Sequence, residues 1–225
     1  MDIVRDAGSL YTKFSLKVLA VSFTLALPLF FVQSLMSLTA SMLTDLIGIW
    51  GQVISFSLFI ICWSLVQVPY ITMVYQEVDE GDIELYKAYC SFFQHFFPII
   101  TIAVFFAAAV VLGITLWVIP GVLAFSLFCL FPCGVLMEGK WKQGIKNVWN
   151  IGWEQLFRIM MIHSVFVLVL MLVGQSILYC GSLLSLGVYS TALLMALTTS
   201  LLIPLFTFVQ AYYYLEWTDL QNFNV

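Results

Sequence analysis

Charged residues divide this chain into four long apolar runs, and this division limits what the chain can fold into. No Asp, Glu, Lys or Arg occurs within residues 18–44, 46–76, 88–137 or 159–215. A helix needs about 20 predominantly apolar residues to cross the hydrocarbon core of a bilayer. Each of the first two runs therefore suits one crossing, and each of the last two is long enough for two crossings.

Turn signals near the middle of the two longest runs support this division. Pro120-Gly121 interrupts the third run, and Gly181-Ser182, followed by Gly187, interrupts the fourth. Backbone polar groups in lipid need partners within their own segment, so the spans are predicted to be helices. The sequence thus predicts one all-α membrane domain over residues 1–225, with spans at about 16–40, 47–75, 97–118, 121–137, 159–179 and 187–213.

The composition agrees with a bilayer as the solvent. The chain is 63% hydrophobic and 9% charged, whereas soluble domains average about 25% charged residues. The net charge of −4 comes without a broad basic face, which excludes nucleic acid as an expected partner. The first span is too long for the apolar part of a cleaved signal peptide, so we expect it to remain as an anchor.

The cations predict the orientation of the chain. With six spans, both termini and the second and fourth loops share one side of the membrane. That side holds all eight cations: Arg5, Lys13, Lys17, Lys87, Lys140, Lys142, Lys146 and Arg158. The loops of the other side contain only Asp45 as a charged residue. The positive-inside rule therefore predicts that both termini are cytoplasmic.

The fourth loop reads as an amphipathic helix over residues 139–158. One row at helical spacing contains Trp141, Ile145, Val148, Trp149, Gly152 and Leu156. Another row contains Lys142, Lys146, Asn150, Glu154 and Arg158, and its last two residues are spaced for an ion pair. We expect an interfacial helix with its cations toward anionic headgroups. The alternative is a cytoplasmic helix packed on the bundle.

This helix supplies the predicted surface that binds membrane lipids with anionic headgroups, or a membrane or cytoplasmic protein partner. Its expected residues are Lys140, Lys142, Lys146, Trp149, Trp153 and Arg158. The second loop is predicted to form a similar interfacial helix from Ile83, with Asp82 as its cap. Its acidic residues, from Glu77 to Glu84, suggest either contact with the fourth loop or a partner, or simple solvation.

No catalytic constellation is visible, and no cofactor or metal site is expected. His95 and His163 read as interface residues rather than a proton relay, and Cys129 and Cys133 as packed thiols rather than metal ligands. Uncharged polar residues do occur inside the spans. They either bond between helices or line a cavity, and the candidates for the cavity are Gln33, Gln67, Gln175 and Thr198.

Several of these segments together resemble a known bacterial pattern. The pattern includes Gly8–Phe14, Leu27-Pro28-Leu29, Ile119-Pro120-Gly121, and Met137-Glu138-Gly139 followed by Trp149, Trp153 and Phe157-Arg158. It resembles the six-helix membrane domain of some glycerophosphoryl diester phosphodiesterases and the standalone YciC-like inner-membrane proteins. The resemblance implies a six-helix fold in a bacterial membrane. It implies no phosphodiesterase activity, because the residues that follow the sixth span contain no catalytic sequence.

Two functions are compatible with this sequence. The first is a non-enzymatic multi-pass protein of the cytoplasmic membrane that acts through lipid or protein partners at its cytoplasmic face. The alternative is a small transporter or permease subunit for an uncharged or weakly polar substrate, since the spans carry prolines and polar residues but no buried charge.

Overall fold

The computed structural model describes residues 3–42, 48–138 and 141–223, and these residues contain helices but no strand. Six helical stretches are long and apolar enough to cross a membrane. They are Ser15–Ala40, Trp50–Glu80, Leu85–Leu116, Ile119–Met137, Leu156–Leu183 and Val188–Thr218. This confirms the predicted all-helical class and the number of spans as judged by length and composition. Asp45, which lies in the predicted first external loop, falls outside the described residues.

The first span begins after a short amphipathic helix and is not a uniform α-helix. Helix α1 (Ile3–Lys13) is followed by α2 (Ser15–Val21), a π-helical turn (Ser22–Ala26) and α3 (Leu27–Met42). The Ser22 hydroxyl lies 2.7 Å from the Tyr70 hydroxyl in the second span, and both groups are buried. The π turn thus places a polar side chain against the core, where it finds a partner.

The second and third spans are longer than predicted. Helix α4 (Ile49–Glu80) and helix α5 (Leu85–Leu116) are joined by only four residues. The second loop therefore has no separate interfacial helix, because its amphipathic residues form the start of α5. Asp82 does not cap α5 either: the helix follows Glu84, and the Asp82 carboxylate accepts a bond from the Ile83 N–H at 2.7 Å.

The turn between spans three and four comes earlier than Pro120-Gly121. Trp117 alone is extended between α5 and α6 (Val118–Phe128), so Pro120 lies in the first turn of α6, where its missing N–H costs little. A Cβ on Gly113 would lie 2.7 Å from the Gly121 Cα. Glycine at both positions lets the two helices meet backbone to backbone immediately beside the turn.

The later spans also differ in their boundaries. A break at residues 129–130 divides the fourth span into α6 and α7 (Phe131–Met137), and Pro132 opens α7. The fourth loop contains α8 (Trp141–Glu154), and α9 (Leu156–Leu183) and α10 (Val188–Phe223) follow. The turn between α9 and α10 covers residues 184–187, so it includes Gly187 but not Gly181-Ser182.

Helix α4 is at the centre of the bundle and packs against α3, α5, α7 and α10. Val66, Tyr70, Ile71, Met73 and Val74 on α4 are almost fully buried. Helix α9 lies at the edge, and only 17% of its most apolar part is buried, against 56% for α4 and for the fourth span. Helix α4 is therefore packed inside the bundle, whereas α9 is loosely packed at its rim.

The acidic segment between α4 and α5 pairs with the amino-terminal helices. The Lys17 ammonium donates to the Asp82 carboxylate at 2.8 Å and to the Ile83 carbonyl at 2.6 Å. Lys13 lies 3.6 Å from Glu77. The hydrogen bond and charge of Lys17 hold the pKa of Asp82 below its ordinary value. Part of this exposed segment is thus tied to the first two helices of the chain.

Candidate functional site

A chain of hydrogen bonds crosses the bundle core and joins α4, α10 and α9. The Gln67 amide donates to the Gln210 carbonyl oxygen at 2.7 Å, and the Gln210 amide lies 2.8 Å from His163 Nε2. His163 Nδ1 is 2.8 Å from the Ile159 carbonyl. The carbonyl can only accept, so Nδ1 carries the ring proton and Nε2 accepts from Gln210. One neutral histidine tautomer thus satisfies the whole chain.

All three side chains of this polar chain are buried, with 1% of Gln67, 2% of Gln210 and 4% of His163 exposed. His163 therefore belongs to the core, although its sequence position suggested the cytoplasmic interface. The rings of Phe125 and Phe206 lie edge-on to His163, with centroids 5.5 and 5.1 Å away. A buried polar chain enclosed by aromatic rings fixes the facing sides of three helices.

An aromatic cluster centred on Trp63 continues from this polar chain. The Trp63 ring packs edge-on against four neighbouring rings, those of Phe59, Phe125, Phe166 and Phe206, with centroids between 4.9 and 6.2 Å away. Phe166 and Phe206 stack at 3.8 Å. Each edge-on pair adds about 0.5–1.5 kcal/mol beyond the burial of its area. The cluster forms a firm floor between α4, α6, α9 and α10.

A cavity of about 650 Å³ lies next to this floor and is lined by α3, α4, α5, α6, α9 and α10. Its walls are mainly apolar. Its polar lining consists of Gln33, Ser34, Ser37, Ser126, His163, Ser164, Thr198 and Thr199, and none of the charged residues that the structure describes lines it. A mainly apolar pocket of this size with a few converging polar groups is typical of small-molecule sites. Sequence reasoning named some of these residues but did not identify which helix faces meet around the space.

The four residues predicted for a cavity have different positions. Gln33 and Thr198 line the cavity, and the Gln33 amide donates to Ser37 at 2.9 Å. Gln67 is used in the polar chain and does not line the cavity. Gln175 is exposed on α9 and is not part of the lining. Thus two of these residues meet at the cavity, one bonds between helices, and one faces outward.

Helix α8 packs closely on the bundle. Its face with Gly144, Val148, Ile151 and Gly152 is buried. A Cβ on Gly134 in α7 would lie 2.7 Å from the Gly144 carbonyl oxygen, so no larger residue fits at this crossing. That face meets α6 and α7. Trp149, which the sequence groups with Val148 and Gly152, is 43% exposed, and its ring centroid lies 5.6 Å from that of Phe128 on α6.

The opposite face of α8 carries a stripe of two lysines and two tryptophans, which we call the Lys–Trp stripe: Lys142, Lys146, Trp149 and Trp153. Their spacing of four, three and four residues places them on one side of the helix. Trp149 is 43% exposed and Trp153 is 54% exposed, with ring centroids 6.0 Å apart. These two cations and two tryptophans, which the sequence analysis assigns to one binding surface, thus lie on one side of α8.

Arg158, which the sequence also predicts for this surface, lies apart from the stripe. The helix is interrupted at Gln155, so Glu154 and Arg158 do not form the predicted ion pair. Glu154 accepts a hydrogen bond from the Trp217 indole at 3.0 Å, and Arg158 lies 5.0 Å from the centre of the Tyr213 ring. Lys140 falls outside the described residues. Arg158 therefore packs against α10, away from the stripe.

The cysteines and His95 supply no further site. Cys129 and Cys133 are buried, and the Cys129 thiol donates to the Ser126 carbonyl at 3.2 Å. His95 is half-buried and bonds the Ser91 carbonyl at 3.0 Å. Within the described ranges, no group of three or more His, Cys, Asp or Glu side chains is placed to hold a metal ion.

These features place the chain among all-α, multi-pass membrane proteins, with a polar chain and a cavity inside the helix bundle. No family model, curated protein or solved structure matches the chain. Its resemblance to the membrane domain of glycerophosphoryl diester phosphodiesterases therefore stays a prediction.

Proposed function

We propose that this chain is a non-enzymatic, multi-pass protein of a bacterial cytoplasmic membrane, with both termini in the cytoplasm, and that α8 binds anionic lipid there. The orientation rests on the confinement of every Lys and Arg to one side of the six-span arrangement. The binding surface is the Lys–Trp stripe. The single observation that carries the proposal is that this stripe is exposed while the opposite face of α8 is packed on α6 and α7.

The chemistry of the stripe suits a membrane surface. Tryptophan favours the headgroup level of a bilayer, and each lysine near an anionic surface contributes about 1 kcal/mol at most. Two lysines therefore contribute up to about 2 kcal/mol, and salt weakens this contribution. The close crossing of Gly134 and Gly144 fixes α8 on the bundle, so both side-chain types are held at one depth.

The test compares two single-charge variants of the full chain, Lys146→Gln in the stripe and Arg5→Gln on α1. Arg5 is exposed and lies outside α8, so its variant controls for the loss of any cation. Each protein is reconstituted in nanodiscs with equal amounts of phosphatidylglycerol and phosphatidylcholine. Native mass spectrometry then counts the lipids retained by each protein.

We expect phosphatidylglycerol to be enriched around the unmodified protein and around Arg5→Gln, and its enrichment to fall about two- to fivefold in Lys146→Gln. Added salt should reduce the difference. Equal loss in both variants, or no enrichment in any protein, would contradict lipid binding by the stripe. If enrichment is absent and crosslinking at Trp153 captures one cytoplasmic protein reproducibly, the stripe is a protein-binding surface instead.

The cavity favours a second candidate function, a small transporter or permease subunit for an uncharged or weakly polar substrate. The supporting observation is that Gln33 and Thr198 line a cavity without charged residues. Vesicles containing the protein should then show saturable flux of a neutral solute, and this flux should fall when Thr198 is replaced by Leu. Absence of flux for a broad panel of neutral solutes would contradict this function.

A further inference from the structure

Two serine residues in the cavity wall, both largely buried, point to a ligand. Ser34 on α3 is 6% exposed and Ser126 on α6 is 2% exposed, and both residues line the cavity. Within the described part of the chain, neither hydroxyl makes a hydrogen bond, although most serine and threonine hydroxyls in these helices bond a carbonyl one turn earlier, as Thr198 does at 2.8 Å. Buried polar groups in proteins are normally bonded. These two hydroxyls therefore have bonding capacity directed at whatever occupies the cavity.

The lining also defines the charge of the ligand. Among the residues that the structure describes, no Asp, Glu, Lys or Arg lines the cavity. His163, a titratable ring in the wall, has its nitrogens engaged by the Ile159 carbonyl and the Gln210 amide. An ionised group would therefore lie in an apolar space without a counter-charge, which disfavours its binding. A neutral group that donates and accepts hydrogen bonds meets no such cost.

The volume limits the size of the ligand. An engineered apolar cavity of about 150 Å³ binds one benzene molecule. By that scale the cavity of about 650 Å³ holds roughly four six-carbon units, or about 24 carbon atoms. One long alkyl or isoprenoid chain fits within this volume, whereas both chains of an ordinary membrane lipid do not.

We propose that this cavity binds a neutral single-chain lipid, an apolar chain that ends in a hydroxyl or carbonyl group bonded by Ser34 and Ser126. The aromatic cluster around Trp63 forms the floor against which the chain packs, and α9 forms the wall that faces the surrounding membrane. This site is separate from the Lys–Trp stripe, so the two proposals can fail independently.

A cavity-filling variant tests the location of the site. Gly174 on α9 lines the cavity, and a Cβ there meets nothing within 4 Å, so Gly174→Leu occupies the space without a clash in the backbone. Ser176→Leu is the matched control, because Ser176 is exposed on the same helix and is not part of the lining. The full-length proteins are purified in detergent and labelled by light with a diazirine derivative of hexadecanol, and labelled peptides are identified by mass spectrometry.

The unmodified protein should show saturable labelling in α3, α6 and α9 that unlabelled hexadecanol displaces. Gly174→Leu should reduce this labelling at least fivefold, while Ser176→Leu should stay within twofold of the unmodified protein. Labelling that does not saturate, or that is equal in Gly174→Leu and the unmodified protein, would overturn the proposal. Disulfide or chemical crosslinks between two copies through the cavity wall would also overturn it, because a second copy would then be the occupant.

A second experiment tests the chemistry of the bound group. The variant with both Ser34→Ala and Ser126→Ala should weaken hexadecanol binding about tenfold, because each lost hydrogen bond weakens binding by about threefold. Palmitate, which has a similar chain but is ionised at neutral pH, should bind at least tenfold more weakly than hexadecanol. Equal binding of the two compounds, or unchanged binding in the double variant, would show that the serines do not select a neutral headgroup.

Discussion

Helices α4 and α9 are both long and apolar, yet they hold opposite positions in the bundle. Helix α4 is packed on several sides, and it carries buried polar residues such as Ser64 and Gln67. Helix α9 turns Met161, Val165 and Leu172 outward. In a membrane, apolar residues suit the core and the lipid equally well. The difference teaches that apolar residues do not reveal which side of a membrane helix faces its neighbours. A polar residue such as Gln67 marks such a side only where it bonds to another helix, because Gln175 on α9 is exposed.

The largest test of this comparison uses one substitution at two places. Met73 on α4 is fully buried, whereas Met161 on α9 is 56% exposed. Met73→Ala removes packed atoms and should lower the free energy of unfolding by ~2–5 kcal/mol. Met161→Ala removes atoms that contact lipid or detergent, so its effect should stay within ~0.5 kcal/mol. Titration with a denaturing detergent measures both, and similar losses would contradict the assigned positions.

A second pair sharpens the comparison with glutamines. Gln67→Met on α4 leaves the Gln210 carbonyl oxygen without its bond in a buried site, so we expect a loss of ~1–3 kcal/mol. Gln175 lies on the exposed part of α9, so Gln175→Met removes no hydrogen bond from the core, and the change in the free energy of unfolding should be close to zero. Both values come from the same unfolding titration. A neutral Gln67→Met would mean that the polar chain does not stabilise the bundle.

The smallest expected effect concerns the carboxyl-terminal end of α4, where Asp82 pairs with Lys17. Because the folded-state pKa of Asp82 is lowered by Lys17, its ion pair contributes fully above the ordinary carboxyl pKa of 3.8 and is lost as the pH falls through the lower value. The thermal midpoint of the unmodified protein should therefore drop more between pH 5 and pH 3 than that of Asp82→Asn.

Glu84→Gln is the control for this pH effect, since its carboxylate lies 3.6 Å from Lys87 rather than near Lys17. It should keep the acid sensitivity of the unmodified protein. Identical pH profiles for Asp82→Asn and the unmodified protein would show that the Lys17 pair contributes nothing to stability.

The six spans were predictable from the sequence because charged residues interrupt the apolar runs, and a bilayer tolerates few such residues. Boundaries were less predictable. Pro120-Gly121 reads as a turn, but proline also suits the first turn of a helix, and the turn is at Trp117. The long apolar runs also did not indicate that α5 begins within the predicted second loop, at Leu85. Nor did they indicate that the helix of the fourth loop is interrupted at Gln155.

The candidate sites depended on contacts that hydropathy does not encode. Gln67 and Gln210 are 143 positions apart, and nothing in either local sequence indicates that they meet. Helical spacing also does not show which side of α8 is buried. The helix packs closely through Gly144 and Gly152, and this packing leaves Lys142 and Lys146 exposed and Trp149 and Trp153 about half-exposed.

The crossing of Gly134 and Gly144 links α8 to the last span through α7. Where two backbones touch, no side chain lies between them to change rotamer and absorb a displacement. A displacement of α8 would therefore also move α7. Glu138, which follows α7, accepts a hydrogen bond from the Tyr214 hydroxyl at 3.2 Å, so the same displacement would reach α10.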